Sequence, residues 1–267
     1  MSLGRSGLPD SPMIAHRSLR RHTRTHSDRP GKAVPRDLLE PVIDHFRPQR
    51  VIITARVPGR HDHFLINPYG LLFDEVTASS LVKIDVEGNK VEPSECEVNS
   101  GGFAIPSTVH MARPEVACVL HTHSIAGCAI SMQKDGLLPL NQHALQVIGD
   151  VTYHEYEGST RSPEERARFL ADLGDRHIMV LRNHGLLIVG TSIAAAFVAT
   201  YRMERACAMQ LAFQQSGAEF HPIADEVVTT AYDNARIRLA GGRNDPANFE
   251  WPALLRKLDR IDSSYKQ

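Results

Sequence analysis

The sequence predicts an α/β protein, and three observations carry that prediction. Short apolar runs rich in Val, Ile and Leu alternate with longer segments whose apolar residues recur at helical spacing. At 267 residues, 42% hydrophobic and 23% charged, the chain can bury a sizeable core and has ordinary globular composition. Turn residues punctuate the runs, as in Asn67-Pro68-Tyr69-Gly70, Glu87-Gly88-Asn89 and Gly149-Asp150.

Taken in order, residues 1–36 are Ser-, Pro-, Gly-, Arg- and His-rich with little apolar periodicity, so a basic segment without a fixed fold is expected there. Leu19–Pro30 resembles the tail of a C2H2 zinc finger, with His22 and His26. The two upstream thiolates are missing, since the first cysteine is Cys96. A globular domain is expected over 37–220. Leu38, Leu39, Val42, Ile43 and Phe46 have helical spacing; Val51–Val57, Phe64–Ile66 and Leu81–Val86 read as strands. Phe103–Met111 reads as a helix, and His110 as a packed histidine on its face. Val116–Leu120 reads as a strand ending at His121, and Val151–Tyr156 as another. Ser162-Pro163-Glu164-Glu165 opens a helix: serine caps, proline takes the first position and Glu165 completes a capping box. His177–Arg182 and Leu186–Val189 read as strands. Thr191 or Ser192 caps a long helix to about Ser216, stopped by Gly217. Residues 221–267 read as a helical extension with two helices, one carrying Phe249, Trp251, Leu254 and Leu255.

The net charge of −1 gives no global field that would select nucleic acid or an anionic membrane. Four scattered cysteines (Cys96, Cys118, Cys128, Cys207) form no close pair and predict a reduced, cytoplasmic protein. No apolar run approaches the ~20 residues that span a bilayer, and the start lacks the apolar core of a secretory signal.

The strongest chemical signal is Val119-Leu120-His121-Thr122-His123. Residues two apart on an extended backbone point the same way, so His121 and His123 can offer two imidazoles from one strand end. His61-Asp62-His63 has the same spacing in a polar turn after Pro58-Gly59, and reads as surface. His184, in Leu181-Arg182-Asn183-His184-Gly185, follows another apolar strand. On spacing alone it serves as well to satisfy a backbone group as to ligate. Three histidines and an open fourth position make a catalytic type of metal site, with zinc first and manganese, iron, cobalt and nickel as alternatives.

Larger blocks carry a resemblance. Phe64-Leu-Ile-Asn-Pro-Tyr-Gly-Leu-Leu-Phe-Asp-Glu-Val-Thr-Ala-Ser-Ser-Leu-Val-Lys-Ile-Asp85, Ala112-Arg113-Pro114-Glu115, His121-Thr122-His123, Gly136-Leu137-Leu138-Pro139-Leu140 and Leu181-Arg182-Asn183-His184-Gly185 occur in order. From Val51 to Gly217 the chain resembles the class II aldolase/adducin family, and bacterial relatives of the adducin head domain in particular. The resemblance implies a three-layer α/β/α domain around a mixed, largely antiparallel sheet. It implies a homo-oligomer, with a tetramer favoured, whose sites lie between subunits. It implies metal ligation by His121, His123 and His184, with a Lewis-acid role for the metal.

Three departures from the aldolase pattern stand out. The family's catalytic glutamate lies about 19 residues before the first metal histidine, and this chain has Gly102 there, within Ser100-Gly101-Gly102. The phosphate-binding Gly-Asn-x-Ser segment corresponds to Ile52-Ile53-Thr54. A tyrosine supplied across the interface corresponds to His143.

His143 is the candidate acid/base, since imidazole titrates near neutrality; a packed, hydrogen-bonded histidine explains it equally. Asn67, Tyr69, Gly70, Ser100, Gly101 and Gly102 are candidate substrate contacts, with a structural turn as the alternative for the first three. Arg182 could meet a carboxylate or form a peripheral ion pair. Glu155 and Glu157 share a strand face and read as a solvated edge. Two functions follow. One is a metal-dependent lyase of the class II aldolase type, acting on a small hydroxy-carbonyl or hydroxy-acid substrate. The other is a non-catalytic adducin-like oligomeric scaffold with cytoskeletal partners such as actin. The histidine triad favours the first; the overall motif match favours the second, and the missing Lys-rich tail weakens its cytoskeletal form.

Overall fold

The computed structural model describes residues 51–158, 162–239 and 247–267. The expected basic segment (1–36) and the helix expected near Leu38–Phe46 lie outside the described residues. A seven-stranded sheet forms from β1 (Val51–Arg56), β2 (Phe64–Ile66), β3 (Val82–Ile84), β4 (Cys118–Thr122), β5 (Val151–His154), β6 (Ile178–Leu181) and β7 (Gly185–Gly190). Its spatial order is β3-β2-β1-β4-β7-β6-β5. Every pairing is antiparallel except β5 with β6. The helices are α1 (Ser100–Ala112), α2 (Ile125–Ser131), α3 (Gln142–Leu145), α4 (Pro163–Leu173), α5 (Ile193–Ser216), α6 (Asp225–Leu239) and α7 (Ala247–Ile261).

Strand alternation sorts the core onto two faces. Ile178, Val180, Leu186 and Ile188 pack with Ala199, Met203 and Cys207 of α5 and Ile130 of α2. Met179, Leu181, Leu187 and Val189 pack with Val109 of α1 and with Phe169 and Leu173 of α4. Both faces of β6 and β7 are thus covered, which is why these strands read as unbroken apolar runs. A third cluster joins Ile52, Phe64, Ile66, Val82 and Ile84 to Phe103 of α1. The result is the expected α/β/α arrangement around a mixed, largely antiparallel sheet.

Helix ends follow side-chain chemistry. Ser162 accepts from the Glu165 amide (3.1 Å) with Pro163 at the first position, and Ser192 accepts from the Ala195 amide (3.0 Å). Gly217 ends α5 in the left-handed region, φ +64°. The two expected C-terminal helices pack back on the domain: α6 lies against Ile148–Asp150, and Trp251 of α7 meets Phe197 of α5 edge-on at 5.4 Å.

His110 is a core residue, 1% exposed, stacked on Phe64 at 4.5 Å. Its Nδ1 lies 3.3 Å from the Val116 carbonyl, which only accepts, so Nδ1 carries the proton and Nε2 accepts from the Thr54 hydroxyl at 2.9 Å. Burial, with Arg56 adding repulsion, lowers its pKa to about 4. Above pH 6.5 neither folded nor unfolded histidine is charged. As pH falls from 6.5 toward 4 the unfolded chain takes a proton that the folded chain refuses, so stability falls, and below 4 the loss levels off. The expected loss from this residue is about 3 kcal/mol. Urea unfolding at pH 7.5, 5.5 and 4.0 should show it, with a shallower slope in His110→Phe; equal slopes in the two proteins would contradict this assignment.

Candidate metal centre

β4 runs one residue past His121, so His121 sits inside the strand and His123 just beyond it. The apolar run stops at Leu120, but pairing with β1 and β7 on both sides carries the strand on to Thr122. His121 faces Ile52 on β1 and Leu187 on β7. Its Nδ1 lies 2.9 Å from the Leu186 carbonyl, which makes Nδ1 the protonated nitrogen and leaves the Nε2 lone pair for the cleft. Burial lowers its pKa to about 3, with His123 and His184 contributing repulsion. Burial also lowers His184. Both are therefore neutral at physiological pH, the state in which imidazole ligates.

His184 is carried by the tight β6–β7 turn. Leu181 pairs with Gly185, so residues 182–184 form the loop. Asn183 adopts φ +56°, a conformation asparagine tolerates better than most residues. The His184 amide donates to the Leu181 carbonyl at 3.1 Å. Gly185 brings this turn against β4: a Cβ there would meet the Thr122 carbonyl oxygen at 2.3 Å. Gly185→Ala must push the turn away from β4. It should cost about 1–3 kcal/mol and weaken metal binding, which a melting curve and a metal titration would both register. Wild-type values in both would contradict this reading of the turn.

The three rings converge. Their centroids are 4.6 Å (His121–His123), 4.9 Å (His121–His184) and 4.6 Å (His123–His184) apart, all edge to face. One ring nitrogen from each lies within 4.8 Å of the others. The His121 and His123 Nε2 atoms are 2.8 Å apart. Two nitrogens on a tetrahedral ion at ~2.1 Å would be ~3.4 Å apart, so a small ring rotation suffices. This is a three-nitrogen set with room for a divalent metal and an open position. Among the described residues the His61–His63 pair belongs to no such set: His63 meets Arg60 at 3.3 Å and Asp62 at 3.7 Å.

The other candidates are placed less uniformly. His143 lies on the short α3, partly buried and outside the triad; Asn141 caps its turn by accepting from the His143 and Ala144 amides. Asn67 spends its side chain on β1, accepting from the Ile53 amide (2.9 Å) and donating to the Val51 carbonyl (3.3 Å). Tyr69 is exposed, with its amide on the Glu97 carbonyl, and Gly70 has φ +91° in open space. Ser100 and Gly101 open α1. Arg182 is a brace: it donates to the Gln133 and Lys134 carbonyls and lies over the Tyr153 ring at 4.2 Å. Tyr156, unnoticed in the sequence, is 59% exposed with its ring 6.1 Å from that of His184. Its signal was its place two residues past the end of β5.

Residues 52–211 match the model of the Class II Aldolase and Adducin N-terminal domain. A Pseudomonas aeruginosa protein, provisionally named a class 2 aldolase, is 47% identical over 215 residues, 80% of this chain and 83% of that protein. The chain belongs to the class II aldolase/adducin family. Within that family it is also 44% identical to mouse alpha-adducin over 220 residues, 78% of this chain but 30% of the adducin. The solved L-fuculose 1-phosphate aldolase of Glaciozyma antarctica superposes with a TM-score of 0.72 at 25% identity, covering 86% of this chain and 88% of that one. No helix among the described residues is long and apolar enough to cross a membrane.

Family membership sharpens the meaning of Gly102. A Cβ at this position would fall 1.8 Å from Cδ1 of Ile52, and the Gly102 amide is tied to Asn99 Oδ1 at 3.0 Å. Ile52 is the direct cross-strand neighbour of His121, so the two side chains share a face. The space beside the triad on this face is filled by an isoleucine packed on a glycine.

Proposed function

We propose that the protein is a metal-dependent lyase of the class II aldolase type, acting on a small hydroxy-carbonyl or hydroxy-acid substrate that carries no phosphate. The observation that carries this is the convergence of His121, His123 and His184. A divalent ion held there, zinc first and manganese, iron, cobalt or nickel as alternatives, would supply Lewis-acid polarisation of substrate oxygens. The chain's own residues do the rest. The Leu186 carbonyl fixes the His121 tautomer. Ile52 keeps water from one wall. Tyr69, Gly70, Tyr156 and the first amides of α1 at Ser100 and Gly101 are the candidate substrate contacts. The protein works as a homo-oligomer, a tetramer in this reading, and His143 reaches a neighbouring subunit's centre as the proton carrier.

A coupled aldol-cleavage assay on unphosphorylated hydroxy-aldehydes, hydroxy-ketones and hydroxy acids, with zinc or manganese supplied, tests this. Turnover should depend on added metal and fall ~10²–10⁴-fold in His143→Gln with metal content unchanged. Light scattering should find an oligomer at micromolar concentration. The second reading, an adducin-like oligomeric scaffold, is favoured by Gly102 and by the identity to alpha-adducin. An oligomer with a loaded metal and no turnover on any of these substrates would favour it.

A further inference from the structure

We infer that Glu204 is a positioning residue for the metal centre, acting through the two residues that flank His123. The inference rests on the histidine-triad reading above. α5 packs Ala199, Met203 and Cys207 on the sheet, and Glu204, the residue after Met203, is 2% exposed. A carboxyl group in such a place has given up its hydration and needs compensation. It finds two hydroxyls. One carboxyl oxygen accepts from Thr122 Oγ1 at 3.0 Å and the other from Ser124 Oγ at 2.5 Å. Ser124 is also the cap of α2, its hydroxyl oxygen accepting from the Gly127 amide at 2.9 Å. Its proton and a lone pair therefore both have fixed partners.

The register explains what this clamp does. The β4–β7 ladder ends at the pair Thr122–Leu186, so His123 follows the last paired residue. Thr122 points to the face opposite His121, as strand alternation requires. Glu204 holds that opposite face and the start of α2 at once, fixing the backbone on both sides of His123. Replacing a satisfied buried polar cluster with apolar residues of equal volume is often neutral or stabilising. Stability alone therefore gives a weak reason for a carboxylate here, whereas orienting a ligand gives a specific one.

The test is a zinc titration by chelator competition, with a melting curve of each metal-free protein, on wild type, Glu204→Gln, Thr122→Val, Thr122→Ser and His184→Ala. Glutamine keeps the shape but offers one acceptor oxygen to two hydroxyl donors. Glu204→Gln should raise the zinc Kd about 10–100-fold and Thr122→Val about 10-fold, the range for groups that orient ligands. Thr122→Ser, which restores the hydroxyl, should return the Kd to near wild type. The cobalt-substituted visible spectrum should shift in Glu204→Gln. Wild-type Kd and cobalt spectrum in folded Glu204→Gln and Thr122→Val, with only the melting temperature changed, would overturn the positioning role and leave the metal centre standing. A wild type that binds zinc no better than His184→Ala would overturn the metal centre and this inference with it.

Discussion

Replacing His184 with alanine is expected to abolish stoichiometric metal binding and, with it, turnover. His184 sits on the β6–β7 turn, partly buried, and its structural backbone bond, amide to the Leu181 carbonyl, survives truncation at Cβ. The fold should therefore persist. What disappears is the third corner of a set whose ring nitrogens lie within 4.8 Å of one another. His121 and His123 alone come from one short segment of chain and leave two positions open. Losing groups that merely orient ligands costs about 10–100-fold in metal affinity, so losing a ligand should cost more than about 100-fold. Equilibrium dialysis with elemental analysis would read this, and circular dichroism would confirm folding. Unchanged affinity in folded His184→Ala would remove His184 from the site.

Cleavage of a sugar phosphate is expected to run about 10²–10⁴ below that of an L-fuculose 1-phosphate aldolase assayed in parallel, the range a positioned acid/base contributes. Restoring a carboxylate through Gly102→Glu should not repair it. The obstacle is steric before it is chemical: the new Cβ would lie 1.8 Å from Ile52 Cδ1. Ile52 is itself braced in the core with Phe64 and Phe103, so it cannot swing away freely. Gly102→Glu should lose about 1–3 kcal/mol of stability. Ile52→Ala combined with Gly102→Glu should cost less than the two single changes summed, because truncating Ile52 opens the space. Steady-state assays with zinc supplied and urea unfolding of the three proteins check both halves. Efficient sugar-phosphate turnover by the unaltered chain would mean that another residue transfers the proton and another loop holds the phosphate.

Much of this architecture could be read from residue pattern because local chemistry and burial agree. Fully covered strands such as Ile178–Leu181 are continuous apolar runs, and the Ser162 and Ser192 caps mark helix starts that the structure reproduces. Two of the candidate ligands share a strand end, so period-2 alternation alone brings His121 and His123 together. His184 is a different case, 61 residues beyond His123 in sequence. The β4–β7 pairing and the close approach at Gly185 bring it in; the sequence shows the apolar run before it and the glycine after it, but not the pairing. Glu204 was illegible for the same reason. Within Arg202-Met203-Glu204-Arg205 it looks like one charge among several, and its burial depends on where α5 crosses the sheet. Asn67 is legible in part: the turn it belongs to can be read from the sequence, but not that its side-chain amide continues the pairing of β1 just past the end of β2.

The most direct test of the account is X-ray absorption at the zinc edge on protein dialysed against one equivalent of zinc. The account predicts one tightly held ion per chain, three imidazole nitrogens at ~2.0–2.1 Å with one further light ligand, and loss of the imidazole scattering in His184→Ala. An ion surrounded only by oxygen, or the same spectrum with and without His184, would contradict it.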